Sequence, residues 1–151
     1  MSLLSSCKSG SFSKPKTITQ VEKSQIVFLN FSIKKNPHGN ETVQLIEKIT
    51  VKGLLKNHNK NQQILKKGNL RCNFLDKKLK PIKTIFIQNP LAKTIEYLTP
   101  SGQLSKKEVK IDSAEFFIRI QLESKIEYIQ ISKINGDNSK DSELTVLKLK
   151  E

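Results

Sequence analysis

Residues 69–89 read NLRCNFLDKKLKPIKTIFIQN, and the alternation in this stretch decides the class of fold. Leu70, Cys72 and Phe74 are interleaved with Arg71 and Asn73, the period of two that a strand with one buried face requires. Asp76-Lys77-Lys78-Leu79-Lys80 supplies a polar turn. Pro81 allows a fresh start, and residues 82–87 run on as a second apolar strand. Two strands do not hold together in water by themselves, so the flanking segments must cover the apolar face of this hairpin.

Working outward, residues 24–34 form the clearest single strand, with Val27, Leu29, Phe31 and Ile33 on one face and Phe28, Asn30 and Ser32 on the other. Asn36-Pro37-His38-Gly39-Asn40 is a turn. Over 42–55, Val43, Leu45, Ile49 and Val51 recur at even spacing, with Glu47 as the break. Leu45, Ile46 and Ile49 also fit a helical face; the β-branched Thr50 and Val51 and the bend at Gly53 favour a strand. Residues 56–67 are polar and amide-rich and read as a long loop, with a short strand at 63–65.

Beyond Asn89-Pro90, a short strand over 94–98 meets the type I turn signature Thr99-Pro100-Ser101-Gly102, and 108–111 resumes as a strand. Residues 114–122 place Phe116, Ile118, Ile120 and Leu122 on one face, and 126–134 pairs with them through Ile129 and Ile131. The last strand, 143–150, turns either Leu147 and Leu149 or Leu144 and Val146 inward. Short strands, frequent turns and no helical segment make the chain all-β. The expected architecture is an antiparallel two-sheet β-sandwich, Ig-like or related, over residues 21–151. A flexible, disordered N-terminal tail over residues 1–20 precedes it.

Charge is distributed unevenly. Of 27 basic residues only Arg71 and Arg119 are arginine, and the net charge is +13. Residues 1–83 hold seventeen basic groups against Glu22, Glu41, Glu47 and Asp76, so the whole excess lies there; residues 84–151 balance to zero. Segment 52–83 is the densest part. The loop and turn in it put Lys56, Lys60, Lys66, Lys67, Lys77, Lys78 and Lys80 on protruding parts of one region, the candidate anionic-surface site. Lysine without arginine lacks the planar fork that reads bases or phosphates in two-point fashion, and Phe74 is the only nearby aromatic for stacking. Diffuse attraction to an anionic surface therefore fits better than nucleic-acid binding, which stands as the alternative for a cytosolic basic β-domain. Biased composition with a merely solvated loop is the competing explanation.

Cys7 and Cys72 lie far apart, Cys72 as a small hydrophobe in a strand and Cys7 in a polar tail. Leu4-Ser5-Ser6-Cys7 resembles the lipobox of bacterial lipoproteins, in which the cysteine is lipidated. Only Met1-Ser2-Leu3 precede it, where a signal peptide carries a charged start and about 7–15 apolar residues. The resemblance thus implies a leader already trimmed, and membrane anchoring through Cys7. From Leu70 onward the order of elements resembles a β-sandwich module of secreted bacterial proteins, sometimes found beside metallopeptidase domains. Asn73-Phe74-Leu75-Asp76-Lys77, Asn89-Pro90-Leu91, Phe116-Phe117-Ile118-Arg119-Ile120 and the Ile129/Ile131 strand carry that likeness. It implies a secreted accessory or binding module at the cell envelope, whose partner is another protein or an anionic envelope surface.

Catalytic chemistry finds little support. A Ser or Cys nucleophile needs a base within reach, and His38 and His58 both lie in polar loops. Asp112, Glu115 and Glu123 sit at solvated strand positions, and with two Tyr and no Trp the chain cannot line a sugar cleft with aromatics. The acidic run Asp137-Asn138-Ser139-Lys140-Asp141-Ser142-Glu143 lacks the glycine of a calcium loop and carries Lys140 among its would-be ligands. No metal site, no cofactor and no enzymatic activity are expected.

Overall fold

The computed structural model describes residues 24–56, 65–136 and 139–150. The tail over 1–20 with Cys7, together with His58 and Lys60, lies outside the described residues. Nine strands and no helix occur among those described: β1 (Gln25–Lys35), β2 (Glu41–Lys52), β3 (Leu70–Leu75), β4 (Pro81–Ile87), β5 (Ala92–Leu98), β6 (Leu104–Lys110), β7 (Ser113–Leu122), β8 (Tyr128–Lys133) and β9 (Ser142–Lys148). They pair antiparallel in three sheets, ordered β2-β1-β7, β4-β3-β8-β9 and β5-β6. The expected strands at 94–98 and 108–111 thus belong to a two-stranded ribbon of their own. Leu65, at the end of the strand expected over 63–65, is irregular and exposed.

The alternation seen in the chain sets the core. Val27, Leu29, Phe31 and Ile33 of β1, Phe116, Ile118 and Ile120 of β7, Leu70, Cys72 and Phe74 of β3, and Ile129 and Ile131 of β8 form one buried cluster. Phe31 and Phe116 stand directly opposite across β1 and β7, their rings stacked with centroids 5.3 Å apart. Such pairs add to the burial of the rings themselves. Loop residues close the ends of the core, with Ile126 and Leu91 buried alongside the strands.

Three bulges interrupt the pairing, one each in β4, β2 and β9. At the start of β4, Phe74 pairs with Lys83 and Leu75 with Pro81, so that Ile82 is extra. In β2, Phe31 pairs with Leu45 but Asn30 with Glu47, leaving Ile46 as the extra residue. The phase therefore flips: Val43 and Leu45 stand opposite core-facing Ile33 and Phe31, whereas Ile49 and Val51 stand opposite Phe28 and Ile26 on the outer face. The even spacing over 42–55 suggested a single inward face, and only Val43 is buried. In β9, Ile131 pairs with Thr145 and Ser132 with Glu143, so Leu144 is extra and both Leu144 and Leu147 pack against the core. Val146 faces solvent, and Leu149 is buried.

Three hairpin turns share one geometry. In each, the first residue's carbonyl accepts from the fourth N–H and the first N–H donates to the fifth carbonyl, over Asn36–Asn40, Asp76–Lys80 and Thr99–Gln103. A side-chain oxygen of the first residue also accepts the fifth residue's N–H in all three: Asn36 Oδ1 at 2.9 Å, Asp76 Oδ1 at 2.9 Å and Thr99 Oγ1 at 3.1 Å. The fourth position is left-handed, as three-residue hairpin loops require. Gly39 (φ 87°) and Gly102 (φ 78°) occupy it in two turns, and Leu79 (φ 60°) in the third.

Candidate functional site: a lysine-lined cleft

The chain closes into a cleft of about 610 Å³ at the end of the molecule where β3 begins and β8 finishes. Lys66-Lys67-Gly68-Asn69 leads into it as a turn closed by the Asn69 N–H on the Lys66 carbonyl at 3.0 Å. Gly68 at its third position has φ 88°, which makes this a type II turn and explains the glycine. The turn is locked to the end of β8, Gly68 N donating to Ile134 O at 2.8 Å and Ile134 N to Asn69 O at 2.9 Å. Across from it, the stem of Lys67 lies over Gly136, where an added Cβ would come within 3.1 Å of the lysine Cδ.

Asn89 is the buried polar hub of the floor, 7% exposed. Its Oδ1 accepts the Leu91 N–H at 3.0 Å, and its Nδ2 donates to Gly68 O at 3.0 Å and to Glu41 Oε2 at 3.3 Å. Glu41 in turn receives the Lys133 ammonium at 2.7 Å; its side chain is 7% exposed and that of Lys133 31%. A carboxylate so deprived of water needs such partners. Lys35 at the end of β1 and Lys110 at the end of β6 complete the walls. Five lysines thus line the cleft against Glu41 and Glu108. With Glu41 engaged by Lys133, the cleft carries an excess of three positive charges, offered by donors that suit an anion.

The anionic-surface set read from the sequence is therefore divided. Lys66 and Lys67 line the cleft, while Lys77, Lys78 and Lys80 occupy the β3–β4 turn at the opposite end of β3. Six strand residues between the two groups separate them by about 20 Å. Lys56 lies beyond β2, next to Leu55, whose N–H donates to Gln121 Oε1 at 2.8 Å. Lys35, Lys110, Lys133 and Asn89 were not legible as one site, because each comes from a different element. The one hint was Asn89-Pro90, an amide held in a short link between strands.

No protein-family model matches this chain, and no curated protein or solved structure matches it either. The site must be read from its own chemistry. Among the described residues no three His, Cys, Asp or Glu side chains come together around a common point. Cys72 is wholly buried, and burial alone pushes its thiol up to about 12, which leaves it protonated and unreactive at neutral pH. Arg71 spends its charge on Asp141 at 2.8 Å and lies over the Phe86 ring at 5.6 Å. The cleft is a cationic recess with a hydrogen-bonded floor, whose ammonium and amide donors suit an anion.

Proposed function

We propose that this protein is a non-enzymatic binding module that takes an anionic group of its partner into the cleft. The observation that supports this most is the convergence of Lys35, Lys66, Lys67, Lys110 and Lys133 from four parts of the chain on one recess. The volume of the recess falls in the usual range for ligand sites. In this reading the two larger sheets are the layers of an Ig-like β-sandwich, enclosing the shared cluster of buried side chains. The Leu4-Ser5-Ser6-Cys7 likeness to a lipobox favours export and lipid anchoring at Cys7, which would present the module at the cell envelope. Its partner there is a protein or an anionic envelope surface.

Pyrophosphate is a suitable small probe. Its titration should shift amide resonances of Gly68, Asn69 and Ala92 first, and Lys67→Gln with Lys133→Gln should weaken the effect about tenfold. Shifts scattered over all exposed lysines would count against the cleft. The alternative, a cytosolic nucleic-acid binder using the 52–83 segment, predicts instead that single-stranded oligonucleotides bind with a steep salt dependence. It also requires the lysines of the cleft and of the β3–β4 turn to act on one strand from opposite ends of β3.

A further inference from the structure

The β3–β4 turn carries a feature that neither the fold nor the cleft uses. Leu79 sits in the left-handed region at φ 60°, where the two sister turns place Gly39 and Gly102. Its side chain does not repay that strain by packing, since the residue is 58% exposed. Lys77, Lys78 and Lys80 surround it, all exposed. The one acid of the turn, Asp76, is turned to the backbone, its Oδ1 accepting the N–H groups of Lys78 at 2.8 Å and Lys80 at 2.9 Å. These bonds over-determine the turn and hold the leucine out in a conformation the side chain itself disfavours. Strain retained at an exposed apolar tip ringed by cations has the chemistry of a bilayer contact: ammonium groups for lipid phosphates, a leucine for the acyl boundary.

We propose that the β3–β4 turn docks on an anionic bilayer, with Leu79 entering the headgroup region and Lys77, Lys78 and Lys80 facing the phosphates. The inference rests on the envelope reading only for where such a bilayer is met. Charge complementarity selects the occupant: a protein groove would need the lysines paired one by one, whereas a lipid surface satisfies all three in any order. The turn needs no rearrangement to bind.

The test uses the full chain with Cys7→Ser, so that no acyl group contributes. It compares vesicles of phosphatidylglycerol and phosphatidylcholine in equal parts with vesicles of phosphatidylcholine alone. Binding should be at least tenfold stronger to the anionic vesicles at 0.1 M salt and should collapse at 1 M, as charges are screened. Leu79→Gly should raise the thermal midpoint while weakening vesicle binding about tenfold, a pairing of effects that a purely structural leucine cannot produce. Binding unchanged in that variant overturns the proposal. Because the chain contains no tryptophan, Leu79→Trp provides a single emission reporter. Its spectrum should move to the blue on anionic vesicles and be quenched by lipids brominated in their acyl chains; an unmoved spectrum also overturns the proposal. Replacing Lys77, Lys78 and Lys80 by Gln should abolish binding, while the same change at Lys93, Lys106 and Lys107 of the β5–β6 ribbon should not. Equal losses from both sets mean that total charge alone is responsible and no docking turn exists. Lys66→Gln with Lys67→Gln should leave vesicle binding intact; if it does not, the lipid belongs to the cleft, and the turn proposal fails while the cleft reading survives.

Discussion

At the scale of single residues, three side chains carry their own predictions. A left-handed conformation costs a β-carbon-bearing residue about 1–2 kcal/mol, so Leu79→Gly should stabilise the protein by about 1 kcal/mol once the glycine's greater unfolded freedom is subtracted. Thermal unfolding reads this as a midpoint raised by a few degrees. Asp76 is held below the ordinary carboxylate value by the N–H of Lys80 foremost, and further by the Lys78 N–H and the nearby ammonium charges, against a smaller opposing desolvation. A carboxyl depressed in the folded state contributes stability above its unfolded pKa, near 3.8, and loses it as the pH falls through the folded value. Asp76→Asn should therefore flatten that part of the acid unfolding curve, because the amide does not titrate. Cys72 runs the other way. Its thiol is raised from 9.0 to about 12, so the stability tied to the neutral form is intact below pH 9 and falls as the pH rises toward 12. Cys72→Ala should be less stable at pH 7 through the small cavity it leaves, yet lose less stability between pH 9 and 11 than the parent does.

At the scale of elements, the register makes neighbouring residues behave as opposites. Ile118 is buried in β7, whereas Phe117 beside it is 73% exposed. Ile118→Ala should cost about 2–5 kcal/mol and Phe117→Ala less than about 0.5 kcal/mol in a denaturant titration, although phenylalanine is the larger side chain. Equal costs would mean that β7 is rotated by one residue. Glu41 tests the junction of β2, β8 and the β4–β5 link. Glu41→Ala strands the Lys133 ammonium and one donor of Asn89, and should destabilise by about 1.5–3 kcal/mol. It should also free Lys133, strengthening pyrophosphate binding per folded molecule; a weaker binding would show that Glu41 positions the lysine rather than neutralising it. In β2 and β9 the extra residue, Ile46 or Leu144, reverses the alternation part-way along. In β2 the even spacing breaks at Glu47, beside the extra residue Ile46, but a single charged residue does not by itself say that the phase reverses there. Sequence alternation therefore places Val43 on the buried face correctly, keeps Leu45 in phase with it though exposed, and misplaces Ile49 and Val51.

At the scale of the whole molecule, charge and topology act on different groups. Closeness along the chain is what makes the seven lysines of segment 52–83 read as one protruding region. An antiparallel hairpin separates residues near in sequence as readily as it joins distant ones, and β3 carries Lys66 and Lys67 to one end and Lys77, Lys78 and Lys80 to the other. The cleft, in contrast, draws Lys110 and Lys133 from the half of the chain whose net charge is zero. Local potential depends on which charges converge, not on the sum along the chain.

The strand class, the inward faces of β1, β3, β7 and β8 and the positions of the turns were determined by the sequence itself. They rest on short-range physics: alternation by two for one buried face, and Gly, Asn, Asp and Pro at backbone angles that few other residues accept. Strand order, the separate β5–β6 ribbon, the three bulges, the Asn89–Glu41–Lys133 floor and the cleft above it were decided only in the tertiary structure. Each depends on residues tens of positions apart meeting at a fixed distance, as Lys133 meets Glu41 at 2.7 Å. A pattern that repeats within a few residues holds no record of such a meeting, because the pairing of sheet edges and the closing of the core choose the neighbours.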